Sequence, residues 1–137
     1  MNELEQQVMD TPLHGYETAL QAPIAAGVYA AWLDSEPRCL YVGRSDNLSS
    51  RLRSHYAGGR GADQFCLYVY DRFIHSLRPP AQEPISSDRV NTMTRDWIRR
   101  RVRFRWLPLA SAQSRRAEDH LRRSLKPIFN PAAGVPQ

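Results

Sequence analysis

The chain has 137 residues, of which 42% are hydrophobic and 24% charged; this suits one globular domain with a real core and excludes an intrinsically disordered chain. The longest apolar run, around Ile24 to Leu33, is broken by Gly27 and too short for a bilayer. The acidic, polar N-terminus is no signal peptide, and Cys39 and Cys66 stand alone without CxxC spacing, which argues against zinc or a disulfide framework and for the cytoplasm. The net charge of +5 divides unevenly, with +8 on residues 93–137 and −3 on residues 1–92.

In chain order, residues 1–22 carry Glu3, Glu5, Asp10 and Glu17 and no lysine or arginine. They read as a short helix or an ordered arm leading into Ala22 and Pro23. Gly27 to Leu33 is rich in aromatic and β-branched residues and predicts a strand. Asp34 to Arg38 is a turn, and Cys39 to Gly43 a second strand, so the pair forms a β-hairpin. Ser45, Asp46 and Asn47 are N-cap candidates for a helix to about Ala57, with Leu48, Leu52 and Tyr56 as one buried stripe. Gly58, Gly59 and Gly61 end that helix; without a following Lys-Ser/Thr they are no phosphate-cradling loop. Over residues 64–77, Phe65, Tyr68, Val69 and Phe73 match helical spacing although the composition also suits a strand.

Pro79, Pro80 and Pro84 mark a loop. Ser86 or Ser87 opens a helix to about Arg101, with Val90, Met93 and Trp97 inward. Val102 to Pro108 alternates, placing Val102, Phe104 and Trp106 on one face and Arg103 and Arg105 on the other, as a strand does. A last helix runs from Ser111 to Lys126, buries Ala117, Leu121 and Leu125, and stops at Pro127. The expected class is α+β, a small three-stranded antiparallel sheet flanked by helices. His14, His75 and His120 fit no ligand spacing and read as surface residues; the two cysteines read as small core residues.

Eighteen of the 19 basic residues are arginine, Lys126 being the exception. The guanidinium fork suits bidentate contact with phosphate, so the basic C-terminal third points to a polyanion, or equally to a solvated basic face.

Four separated features then line up. Gly27-Val28-Tyr29 lies on the first strand and Tyr41-Val42-Gly43 on the second. Arg51 precedes His55 by four residues, and Glu118 on the last helix precedes Asn130 by twelve. In this order and spacing the chain resembles the GIY-YIG endonuclease superfamily over about residues 25–57 and 102–131. Valine replaces isoleucine in both tripeptides, and arginine stands at position 44 where lysine is common. The resemblance implies an N-terminal arm (1–22), a nuclease domain (23–131) with an insertion (58–101), and a C-terminal tail (132–137).

It further implies a metal-dependent DNA endonuclease leaving 5′-phosphate and 3′-hydroxyl ends, in restriction or defence or in repair or recombination. A catalytically silent nucleic-acid-binding module of the same fold is the rival. Glu118 would be the one protein ligand to Mg2+ (or Mn2+), one ion per active site. Arg51 would bind the scissile phosphate. Tyr29 and Tyr41 would orient or deprotonate the attacking water, with His55 as relay and Asn130 fixing the end of the site. A tyrosine titrates near pH 10, so a base role calls for positive charge from Arg44, Arg51 and the ion to lower it. Arg44, Arg53, Arg99, Arg103 and Arg105 are expected on the DNA backbone. Taken singly, each residue has a plainer reading: strand aromatics, a solvated helix face, an i, i+4 partner of Arg122, a turn. A homodimer, joined through the acidic arm and the insertion, would cut both strands of a duplex; the expected partners are DNA and no membrane.

Overall fold

The computed structural model describes residues 2–35, 37–77 and 86–132. The proline-marked loop at Pro79, Pro80 and Pro84 and most of the C-terminal tail lie outside them. In chain order the elements are α1 (Glu3–Met9), α2 (Tyr16–Ala19), β1 (Gly27–Leu33), β2 (Cys39–Ser45), α3 (Leu48–Ala57), α4 (Gln64–Val69), a π-turn (Tyr70–Ile74) with a short 3-10 turn (His75–Leu77), α5 (Ser87–Arg101), β3 (Val102–Pro108) and α6 (Ser111–Leu125). No helix among the described residues is long and apolar enough to cross a membrane.

The strands form one antiparallel sheet in the order β2-β1-β3. The class is therefore α+β, as the strand and helix signals predicted. β2 runs two residues past the predicted Gly43, because Arg44 and Ser45 still pair with Val28 and Gly27. Asn47, the last of the three cap candidates, caps α3 by accepting from the Ser50 N–H at 3.1 Å. Gly58 closes α3 with φ of +81°, a left-handed turn that glycine adopts freely. The ambiguous stretch 64–77 is helical, its first turn capped by Asp63. Helix α6 stops one residue early, at Leu125, with Lys126 left-handed.

Both faces of the sheet are covered. On one, Tyr29, Ala31, Leu40 and Phe104 pack under α3, α4 and α5 with Leu48, Leu52, Phe65 and Ile98. Complete burial of each such leucine contributes about 1.5–3 kcal/mol. On the other, Val28, Ala30, Trp32 and Val42 pack under Val8 of α1 and Ala117 and Leu121 of α6. The N-terminal arm thus belongs to the fold. His14 pairs with Phe104 through two backbone hydrogen bonds of 2.8 and 2.9 Å, covering the β3 edge. His14 is half-buried and stacked on Trp106 at 4.3 Å, which corrects its reading as a surface residue; His75 and His120 are exposed. Cys39 and Cys66 are buried free thiols on opposite faces.

Candidate active site

Tyr29 sits in register between Gly43 and Trp106. A Cβ at position 43 would overlap the Tyr29 ring and hydroxyl, so the glycine of the second tripeptide makes room for the tyrosine of the first. Gly27 has an equivalent reason: a Cβ there would press on the Leu107 carbonyl and on Leu48, the residue that seats α3. The buried stripe of α3 widens at His55, beside Tyr56, and turns the imidazole under the sheet.

There Tyr29 Oη lies 2.7 Å from His55 Nε2, and His55 Nδ1 lies 2.7 and 3.0 Å from the two oxygens of Asp63. The same carboxylate accepts from Ser54 Oγ at 2.6 Å and from the Cys66 N–H at 3.0 Å. Tyr29 and His55 are each 1% exposed and Asp63 6%. Such burial is tolerable because every polar atom has a partner. Tyr41 is half-buried and sets its ring 6.1 Å from that of Tyr29 and 5.9 Å from that of His55.

Burial governs the electrostatics of the cluster. Burial raises both phenols, Tyr29 well above its ordinary value; the Arg51 charge pulls each down but is outweighed, while Glu118 and Asp63 push them further up. Burial lowers His55 despite the Asp63 bond, so the ring is neutral. Burial alone would raise the Asp63 carboxyl, yet the bonds from His55, Ser54 and the Cys66 amide hold it at about 2.

A second group of polar contacts lies along the outer edge of β2. Residues on one side of α6 grip that edge in succession. Ser111 Oγ donates to Asp46 at 2.8 Å, and Arg44 Nε donates to Ser114 Oγ at 2.9 Å while its other nitrogen pairs with Asp46. One turn further, the Glu118 carboxylate comes beside Arg44. Arg122, a turn beyond, donates to the carbonyls of Asn130 at 2.7 Å and Pro131 at 2.9 Å. Asn130 completes the seam, accepting from the Val42 N–H at 3.1 Å and donating to the Val42 carbonyl at 2.5 Å. Burial raises Glu118, with Arg122 and Arg44 opposing, and the carboxyl remains half-exposed.

The structure therefore gathers Tyr29, Tyr41 and His55 into one cluster. It sets Arg51 and Glu118 near enough that both charges act on both phenols, and it hangs Asn130 on the neighbouring edge. No group of three or more His, Cys, Asp or Glu side chains among the described residues forms a closed metal cage. One half-exposed carboxylate suits a hard cation that keeps most of its waters, and does not suit zinc.

The arginines expected on DNA separate in a way their sequence spacing does not show. Arg44 is clamped to Ser114 and Asp46. Arg53 donates to the Leu20 carbonyl at 3.0 Å, and Arg99 to the Tyr56 carbonyl at 3.1 Å while stacking over Tyr16. Arg105 donates to the Thr11 carbonyl and lies over Trp32; its Nε is buried without a hydrogen-bond partner among the described residues. These four hold the fold together. Arg105 differs from Arg103, on the same side of β3, because the N-terminal arm folds back against it. Arg103 is exposed and, with Arg99 and Arg100, lines an open cleft of about 400 Å³ against Tyr16. Asp63 is the site residue missing from the motif reading, and its one sequence signal is its place as an N-cap.

No protein-family model matches the chain, and no curated protein matches it. Among solved structures it is similar to two crystal structures of the GIY-YIG N-terminal endonuclease domain of UvrC from Thermotoga maritima, both Tyr-to-Phe point mutants bound to the catalytic divalent cation. Identities are 16% and 15%, and each match covers 95% of this chain and 98% of the other at a TM-score of 0.40. The order Tyr29, Tyr41, Arg51, His55, Glu118 and Asn130, on which the sequence resemblance rests, falls on β1, β2, α3, α6 and the segment that follows it.

Proposed function

We propose that the chain is a metal-dependent endonuclease that hydrolyses DNA phosphodiesters, leaving 5′-phosphate and 3′-hydroxyl ends. The observation that carries this reading is the 2.7 Å contact between Tyr29 and His55 in a dry pocket, with the charges of Arg51 and Glu118 acting on the same phenols. Phosphodiester hydrolysis needs those three things together: a group to take a proton from water, a cation for the phosphoryl oxygens, and relief for the leaving oxygen.

Arg51, exposed on α3, binds the scissile phosphate. The Tyr41, Tyr29 and His55 cluster orients the water and takes its proton. Glu118 would hold one Mg2+ (or Mn2+), which supplies charge neutralisation at the phosphate and at the departing 3′-oxygen. Arg44 and the α6 seam hold Glu118 at its height along β2, and Asn130 seals the strand edge beside it.

Supercoiled plasmid and branched DNA, each with Mg2+ or with chelator, test the reading and separate a restriction role from repair or recombination. Cleavage is expected with the ion and none with chelator, and Glu118→Gln is expected to abolish it while DNA affinity stays equal or rises. Wild-type binding without cleavage overturns the proposal in favour of a silent binding module. Each chain has one site, so a monomer accumulates nicked circles before linear product. A homodimer on a symmetric site yields linear DNA directly.

A further inference from the structure

We propose that Asp63 is a positioning residue: it fixes His55 as the tautomer whose Nε2 takes the water's proton by way of Tyr41 and Tyr29. The inference rests on the nuclease reading for its chemistry, but the tautomer itself does not.

An ionised carboxylate only accepts, and Asp63 already accepts from Ser54 Oγ and the Cys66 N–H. His55 Nδ1, 2.7 Å from the same group, must therefore carry a hydrogen. The ring is neutral, so Nε2 bears a lone pair, and the Tyr29 hydroxyl 2.7 Å away must be the donor. With its hydrogen committed inward, Tyr29 has only lone pairs left for the outer phenol, Tyr41, whose ring lies 6.1 Å from its own. In the proposed relay donors then run in one direction, Tyr41 to Tyr29 to His55, from the half-exposed phenol to the buried imine. Tyr29, 1% exposed, is an internal link, and Tyr41 is the phenol that meets water.

The step balances. A water O–H bond breaks and its oxygen forms the new bond to phosphorus, as the bond from phosphorus to the 3′-oxygen breaks. Tyr41 receives the water's proton while passing its own to Tyr29, which passes its own to Nε2. The leaving oxygen is protonated from solvent, and the imidazolium later returns its proton outward along the same path. Charge rests on an imidazolium beside a carboxylate, so neither phenol needs to persist as an anion. The ionisable and charged groups facing the ring are Tyr29 from β1, Tyr41 from β2, Asp63 at the start of α4, and Arg51 on α3 itself, while the Cys66 thiol donates to the His55 carbonyl. β3 contributes the stacked ring of Phe104 at 5.8 Å, and α4 that of Phe65 at 4.8 Å.

The test is nitrogen NMR of the imidazole in the metal-free protein, with cleavage kinetics beside it. The wild type is expected to show the Nδ1–H tautomer. In Asp63→Asn the side-chain amide can donate to Nδ1, so the Nε2–H form is expected to appear. Its kcat on plasmid should fall about 10²–10⁴-fold with KM unchanged. The acidic limb of its kcat profile should move to lower pH, since the charge that raises His55 is gone; a merely structural loss moves no limb. Wild-type His55 as Nε2–H overturns the inference whether or not the variant folds, and so does an unmoved limb in a folded variant. The Nδ1–H form in a wild-type chain that cleaves no DNA removes the nuclease reading and leaves Asp63 as the residue that fixes the tautomer.

Discussion

The face of the sheet under α3 and α4 encloses a connected run of polar side chains, Tyr29, His55, Asp63 and Ser54, with the Tyr41 ring beside it. The face under α1 and α6 encloses mainly Val28, Ala30, Val42, Ala117 and Leu121, and its polar contacts sit at the β2 edge instead. The division follows from what each group must do. Moving a proton through fixed hydrogen bonds calls for a dry, unyielding surround in which each donor has one acceptor. Holding a phosphate or a hydrated cation calls for water, and so for an edge. Arg51 and His55 stand one turn apart on α3, yet one is exposed and the other is not.

The largest expected effect comes from cutting the polar run. Tyr29→Phe removes one oxygen and leaves His55 Nε2 without its donor, so plasmid cleavage should fall about 10²–10⁴-fold. Val8→Ala on the opposite face should cost about 1–3 kcal/mol of stability, read from denaturant unfolding, with cleavage per folded molecule unchanged. Equal rate losses in the two variants would erase the distinction between the faces.

A smaller effect is expected in acid. The Asp63 carboxyl titrates at about 2 in the folded chain, against 3.8 for a free one, so its ionised form favours folding. That contribution, about 2 kcal/mol, is complete above about pH 4 and disappears as the pH falls toward 2. His55 acts in the same direction at higher pH: its lowered value favours folding above about 6.5, and the benefit fades as acid protonates the unfolded chain first. The stability gap between the wild type and Asp63→Asn, followed by denaturant titration, should therefore narrow between about pH 4 and 2. A constant gap would place the carboxylate outside the network.

The smallest effect separates two neighbouring arginines on β3. Arg103→Gln should weaken DNA binding alike on all sequences and lower the slope of log affinity against log salt by about 1. Arg105→Gln should leave that slope unchanged and lower stability, because the guanidinium is spent on Thr11 and Trp32. A changed slope in Arg105→Gln would mean that it leaves those partners for phosphate.

Sequence by itself determined the elements and most of the site. Alternation marks a strand and a four-residue stripe marks a helix, whatever lies above them; Asn47 and Ser86 then act as caps through bonds to residues three away, and Gly58 through its left-handed backbone. The order of Tyr29, Tyr41, Arg51, His55, Glu118 and Asn130 was legible because each is tied to one element at a set spacing. Only the tertiary structure decided what each polar group faces. Asp63 has a sufficient local role as the cap of α4, and nothing in one dimension says that its carboxylate also reaches an imidazole on another helix. Strand alternation places Arg103 and Arg105 on one side of β3, but whether that side meets water or Thr11 depends on where the arm folds back. A hydrogen bond is settled by which partners come within about 3 Å, and that distance is set by packing between elements that the sequence keeps far apart.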